Sequence, residues 1–227
     1  MTGADAPKRA LVIGGTSDIG RAIAAAYLDL GWSVTITGRD MEAVERELRD
    51  LATRHDGATV ETRHLDILET ASFDGFVDGL PGRVDTAICV VGMLGDQERA
   101  QTDADHATQV MRTNYEGPAL LSETLAARMA EDGGGLIVGI SSVAGDRGRA
   151  TNYVYGAAKA GFTAHLSGLR NRFAATALRV TTVKPGFVRT RMTADMDLPG
   201  PLTATPAEVA RRVVALERRP ADVIHVL

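Results

Sequence analysis

Short apolar runs recur along the chain, separated by longer stretches whose apolar residues return every three or four positions. The first run is Ala10–Ile13, Ser33–Thr37 reads as a second strand, and later strand candidates are Thr59–His64, Thr86–Val91, Leu136–Ile140, Arg179–Val183 and Asp222–Leu227. Several are rich in β-branched residues, which suit a pleated, buried strand. Helical periodicity runs through Arg21–Leu30, Met41–Arg54, Asp103–Arg112, Gly117–Glu131, Tyr155–Phe173 and Pro206–Arg218. In Met41–Arg54, Val44, Leu48 and Leu51 share one side. Strand and helix in alternation predict right-handed βαβ crossovers, and so a parallel sheet covered on both faces. No linker, repeat or low-complexity tract divides the chain. The expected architecture is a Rossmann-type, doubly wound α/β fold of three layers, α/β/α, as a single domain over residues 1–227. Ligands of such sheets bind beyond the carboxyl ends of the strands. Residues after Ile13, Thr37, Val91, Ile140 and Val183 should therefore converge on one crevice.

Composition narrows the function classes. A net charge of -4 gives no global attraction for nucleic acid or an anionic membrane. Cys89 is the single cysteine, so no intrachain disulfide forms and an oxidising compartment is not implied. No apolar run reaches the ~20 residues a bilayer requires. Met1–Arg9 is polar and lacks the apolar core of a secretory signal. A cytoplasmic protein with neither nucleic-acid nor membrane partner is expected. The five histidines have no close ligand spacing, so no catalytic metal is expected.

Gly14, Gly15, Thr16, Ser17, Asp18, Ile19 and Gly20 lie between a strand and a helix. Glycine lets backbone approach a pyrophosphate, and the helix N-terminus adds unpaired N–H groups and partial positive charge. Asp18 stands where a second glycine is usual, and a carboxylate facing pyrophosphate would be repelled. It is expected to turn away and cap the helix. At the end of the second strand, Gly38 occupies the place where NAD sites carry an acidic residue, and Arg39 follows. A guanidinium there pairs with a 2′-phosphate. That favours NADP(H), with NAD(H) possible if Asp40 takes the ribose and Arg39 is merely solvated.

Tyr155 and Lys159 are four residues apart, on one face of a helix. An adjacent ammonium favours phenolate and should lower the tyrosine pKa, which suits proton transfer to a carbonyl oxygen. Ser142 follows the Leu136–Ile140 strand at the ligand end of the sheet and offers a hydroxyl to the same oxygen. Tyr153 reads as a bystander or a wall of the substrate pocket.

These pieces, in this order, resemble the short-chain dehydrogenase/reductase family. The matching segments are Gly14–Gly20, Asp66 in His64–Ile67, Asn114 in Thr113–Tyr115, Ile140–Gly145, Tyr155–Lys159 and Lys184–Thr190. The resemblance implies Tyr155 as general acid/base, Ser142 as carbonyl orienter and Lys159 as partner of the tyrosine and the nicotinamide ribose. Asn114 would hold a water of the proton relay and Asp66 would contact adenine. Gly92, Pro185, Gly186 and Val188 would border the cofactor, with Thr190 on the nicotinamide amide. Besides Asp18, two features depart from the pattern. Cys89–Gly92 replaces Asn-Asn-Ala-Gly, and the chain ends at Leu227, where members often continue.

The substrate is expected to be a small carbonyl compound or alcohol. Arg147 and Arg149, between Ser142 and Tyr155, are candidates for binding an anionic group, as are Arg189 and Arg191 opposite, although each also suits a solvated surface. A narrower resemblance, through Gly14–Gly20, Gly92–Asp96, the Arg147–Arg149 loop and Pro185–Met192, is to reductases of decaprenylphosphoryl 2-keto-pentose. It implies a keto-sugar bearing a phosphoryl group as one candidate. Met192–Thr205, with Pro199, Gly200 and Pro201 and followed by Pro206, suits a lid. Two other classes remain open: a redox-sensing regulator that uses the dinucleotide only as a switch, and a non-catalytic interaction subunit. The row Ala158, Phe162, His165 and Leu169 would pack in the core or join helices across a homodimer or homotetramer.

Overall fold

A computed structural model describes residues 7–227, so most of Met1–Arg9 lies outside the described residues. Seven strands form one parallel sheet: β1 (Arg9–Ile13), β2 (Ser33–Gly38), β3 (Val60–His64), β4 (Thr86–Cys89), β5 (Gly135–Ile140), β6 (Leu178–Pro185) and, last in the chain, Val223–Val226. Two short strands between these, β7 (Phe187–Val188) and β8 (Thr203–Ala204), pair with each other, which makes Val223–Val226 β9. The order across the sheet is β3-β2-β1-β4-β5-β6-β9. Strand order reverses direction between β1 and β4, where an open parallel sheet leaves its crevice.

Alternation along the strands divides the core. Ala10 and Val12 of β1 face one layer, while Leu11 and Ile13 face the other. In β5, Leu136, Val138 and Ile140 go to the first side and Ile137 to the second. The first layer is built on α1 (Asp18–Asp29), α2 (Met41–Arg54) and a C-terminal helix, Pro206–Val214, through Ile23, Tyr27, Val44, Leu51, Val209 and Val213. The second holds α3 (Phe73–Asp78), α6 (Gly117–Glu131) and α7 (Tyr153–Arg172), with Val77, Leu125, Phe162 and Leu166 among its buried residues. Between α3 and α6 run α4 (Gln97–Thr102) and α5 (Ala104–Met111), and Pro206–Val214 is α8. The sheet is therefore doubly wound, and its inner strands β1, β4 and β5 read as near-continuous apolar runs because both faces are covered, whereas the edge strand β3 is polar and has no buried residue.

Several boundaries move. The first helix begins at Asp18 rather than Arg21, and β4 stops at Cys89 rather than Val91. The last helix ends at Val214, and Ala215–Glu217 continues as a 3₁₀ turn. Helices α3 and α4 were not expected; six residues are too few to display a helical period. Ala158, Phe162 and Leu169 are core residues, whereas His165 is half-buried. Among the described residues no helix is long and apolar enough to cross a membrane. Nor does any group of three His, Cys, Asp or Glu residues among them stand together as metal ligands.

Candidate active site

At the switch point lies a cavity of about 560 Å³. Its walls include Ser17, Asp18 and Ile19 from the start of α1, Gly92 after β4, Ser142 after β5, Tyr155 and Lys159 of α7, and Pro185, Gly186, Val188 and Thr190 beyond β6. Distant sequence segments thus meet where the sheet topology requires.

The glycine turn is shaped for close approach. Gly14 has φ +90°, a left-handed conformation that glycine adopts without strain. Ser17 caps α1: its hydroxyl accepts from Gly20 N–H at 3.1 Å and donates to Gly14 C=O at 2.8 Å. The amides of Asp18 and Ile19 have no partner among the described residues. Two unpaired N–H groups at the positive end of a helix fit a dinucleotide phosphate. Asp18 is not the cap, contrary to the expectation above. Its carboxylate reaches across the crevice, accepting Arg191 N–H at 2.7 Å and Arg191 Nε at 3.2 Å. Arg191 also donates through Nη2 to Thr16 C=O.

Towards the other end, Arg39 is exposed beyond β2. Asp40 accepts Ala43 N–H at 3.1 Å and caps α2. Half-buried Asp66 accepts from Leu68 N–H at 2.9 Å, a turn-forming contact. Asn114 is fully buried in a π-helical turn, Arg112–Glu116, between α5 and α6. Its Nδ2 donates to Met93 C=O at 2.6 Å and Val110 C=O at 2.8 Å, while Oδ1 accepts Met93 N–H at 3.1 Å. Only the second lone pair of Oδ1 remains open to a water.

The two serines after β5 divide their work. Ser141 turns inward, donating to Lys159 C=O at 3.0 Å and sharing a 2.7 Å hydrogen bond with Thr163. Ser142 lines the cavity and caps the turn Val143–Gly145 through Ala144 N–H at 3.1 Å. That turn presses on α7 because Gly156 has no side chain; a Cβ there would lie 2.7 Å from Ala144 C=O. Asp146, just beyond, is tied to Lys184 of β6 at 2.5 Å.

Lys159 is almost wholly buried, at 3% exposure. Its Nζ donates to Ile140 C=O at 3.1 Å and Val91 C=O at 3.3 Å, and lies 5.9 Å from the Tyr155 ring centroid. Burial pushes its pKa down to about 8, opposed by the Cys89 thiol. The Tyr155 phenol is raised by burial, and the Ser142 hydroxyl pulls against that rise. The expected lowering by Lys159 is thus reversed here. The ammonium serves strand-end carbonyls, and desolvation of a phenolate dominates. Cys89 itself is buried, with its thiol pushed up to about 11 by desolvation.

Of the substrate candidates, Arg149 is half-buried and lines the cavity, whereas Arg147 and Tyr153 are exposed and outside its lining. Among the described residues the Arg149 guanidinium has no carboxylate partner, while Arg191 is paired with Asp18. Sequence reasoning passed over Asn152, another lining residue, whose Oδ1 is buried without a partner. It also passed over the apolar walls Leu94, Val143, Phe187, Met192 and Met196. A polar residue just before a helix reads as a cap, yet Asn152 makes no capping bond.

A family model described as short chain dehydrogenase matches residues 8–199. An uncharacterized oxidoreductase of Mycobacterium tuberculosis is 40% identical over 204 residues, spanning 88% of this chain and 80% of that protein. An uncharacterized oxidoreductase from the mprA 5′ region of Streptomyces coelicolor is 34% identical over 97% of this chain and 87% of its own. The structure of an actinorhodin polyketide ketoreductase variant with NADPH superposes with a TM-score of 0.86 at 25% identity, covering 97% of this chain and 95% of that one.

Proposed function

The chain belongs to the short-chain dehydrogenase/reductase family, and from that membership we propose that it reduces a small anionic ketone, or oxidises the matching alcohol, with Tyr155 as general acid/base and NADP(H) as preferred cofactor. It is an NAD(P)-dependent oxidoreductase acting on CH–OH and C=O groups. The observation that carries the finer reading is the convergence of Ser142, Tyr155 and Lys159 on one cavity wall, beside the open amides of Asp18 and Ile19.

The residues fit a dinucleotide: Gly14–Gly20 and the α1 amides for the pyrophosphate, Asp66 for adenine, Lys159 for the nicotinamide ribose, and Gly92, Pro185, Gly186, Val188 and Thr190 along the nicotinamide. When bound, the nicotinamide ring supplies or accepts the hydride. Ser142 donates a hydrogen bond to the substrate oxygen and orients the carbonyl. Tyr155, held as a neutral phenol by burial, gives its proton to that oxygen during reduction. Lys159 then stabilises the phenolate left behind, and Asn114, locked to Met93 and Val110, places a water for reprotonation. In oxidation the same groups run in reverse.

Arg149 is the basis for an anionic substrate, because its charge is half-buried in the cavity wall. The apolar walls bind the body of the molecule. A carboxylated or phosphorylated ketone meets both demands where its body is apolar, and a keto-sugar carrying a phosphoryl group meets the anionic one. NADP(H) preference rests on Arg39, exposed at the end of β2, and on Asp40 being engaged as the α2 cap.

The test is a panel of neutral and anionic ketones, keto-sugars included, with NADPH and NADH. Wild type should oxidise NADPH with an anionic ketone, and Tyr155→Phe should lose about a thousandfold in kcat, within the range for general acid catalysis. Equal turnover by both would overturn the mechanism.

A further inference from the structure

We propose that Asp18 and Arg191 form a latch across the cofactor cleft, a positioning pair that sets how long the dinucleotide stays bound. This rests on the dinucleotide-binding reading above. The two residues are 173 positions apart in sequence and line opposite lips of one cavity. Asp18 sits in the first turn of α1, beside the open amides that suit a phosphate. An unpaired carboxylate there would repel the phosphate it adjoins. The structure supplies the counter-charge from the far lip: Oδ1 takes Arg191 Nε at 3.2 Å and Oδ2 takes the Arg191 backbone N–H at 2.7 Å. Arg191 continues to Thr16 C=O in the glycine turn. One arginine therefore grips both the carboxylate and the turn that bears it.

What the latch holds matters for the site. Arg191 opens the 3₁₀ turn Arg191–Thr193, directly after Thr190. Thr190 N–H donates to Thr193 Oγ1 at 3.1 Å, and Thr193 Oγ1 donates to Val188 C=O at 2.7 Å, so the turn is internally braced. Fixing Arg191 to Asp18 consequently fixes the Val188–Thr193 lip over the glycine turn. The Asp18 side chain is 22% exposed and that of Arg191 69%. A pair this open can break and re-form without unfolding the core. It closes over a bound dinucleotide and must part for release.

The experiment measures NADPH release directly: protein-bound NADPH fluorescence is chased with excess NADP+, for wild type, Asp18→Ala, Arg191→Ala and the double variant. Each single change should speed release about tenfold, Arg191→Ala the more because it leaves Asp18 unpaired beside the phosphate, and the double should match Asp18→Ala instead of multiplying the two effects, since both remove one interaction. Raising salt from about 50 to 500 mM should speed release more from wild type than from the double variant, because screening acts on the pair in addition to the phosphate contacts that all variants share. Asp18→Gly provides a second test of the carboxylate should Asp18→Ala fold poorly; circular dichroism checks the fold of each. Unchanged release in the single variants, or a multiplicative loss in the double, overturns the latch. Fast release from Arg191→Ala alone, with Asp18→Ala like wild type, overturns it as well, leaving a lone arginine on phosphate. Failure of wild type to bind either dinucleotide overturns the functional reading too, whereas an active Tyr155→Phe enzyme with normal latch behaviour overturns only the proton-transfer reading.

Discussion

Lys159 shows how a single side chain can cost stability for the sake of chemistry. Its pKa is about 8 in the folded protein against 10.5 ordinarily. Below pH 8 both states carry the proton, and the folded state bears the full penalty of a buried ammonium. Between pH 8 and 10.5 the unfolded chain keeps a proton that the folded chain has released, so this group makes stability rise with pH. Lys159→Met should therefore stabilise the protein at pH 7, by on the order of 2 kcal/mol after the loss of two carbonyl contacts. Towards pH 10.5 the gain should fall away and turn into a loss, because the charge penalty is gone while the two carbonyls stay unpaired, as read by urea unfolding at several pH values. The same variant should be nearly inactive. At the neighbouring wall, Arg149→Ala should lower kcat/KM for phosphorylated or carboxylated ketones about 10- to 100-fold and leave neutral ketones unaffected, as expected for loss of a charge-assisted hydrogen bond. The Tyr155–Lys159 spacing was readable in the chain because helix geometry is local. The pairing of Asp18 was not, since its partner lies 173 residues away. The direction of the tyrosine shift was also hidden, because burial is a property of the assembled fold.

At the scale of elements, apolar and β-branched runs marked out the inner strands of the main sheet, since strands covered on both faces are apolar, whereas the edge strand β3 is polar and has no buried residue. Short elements escaped: α3, α4 and the β7–β8 pair are each defined by what they pack against. The contact between the Val143–Gly145 turn and α7 is of this kind, and it supports a prediction. Gly156→Val would drive its side chain into Ala144 C=O, where even a Cβ is 2.7 Å away. The turn must retreat and carry Ser142 with it. We expect a loss of about 1–3 kcal/mol in stability, typical of overpacking. The fall in kcat should exceed the rise in KM, as steady-state assays would read. The β7–β8 pair clamps both ends of the segment bearing Met192 and Met196. That segment should resist proteolysis once cofactor and substrate are both present, and limited digestion will report it.

For the molecule as a whole, parallel strands and two apolar layers follow from the alternation of runs and helices, and the crevice follows from strand order. Self-association draws on surface features instead. Met111, Tyr115 and Leu120 are each more than two-fifths exposed along α5, the π turn and α6. An apolar row of this kind suits a two-fold contact with a second copy. Sedimentation should give a dimer or tetramer, and Leu120→Glu should shift it towards monomer with the circular dichroism spectrum preserved. A monomeric wild type would refute that assembly.

The wide turn at Arg112–Glu116 has a consequence for anyone editing this chain. It holds one residue more than an ordinary helical turn would need between α5 and α6. Deleting a single residue there would regularise the rod and keep the flanking helices in phase, because five residues of a wide turn sweep about the angle that four cover in an α-helix. Val110 and Leu121 would stay buried, but the widened backbone that turns Asn114 towards Met93 would be gone. A deletion that looks harmless as helix repair would thus unfasten the strand end beside Lys159.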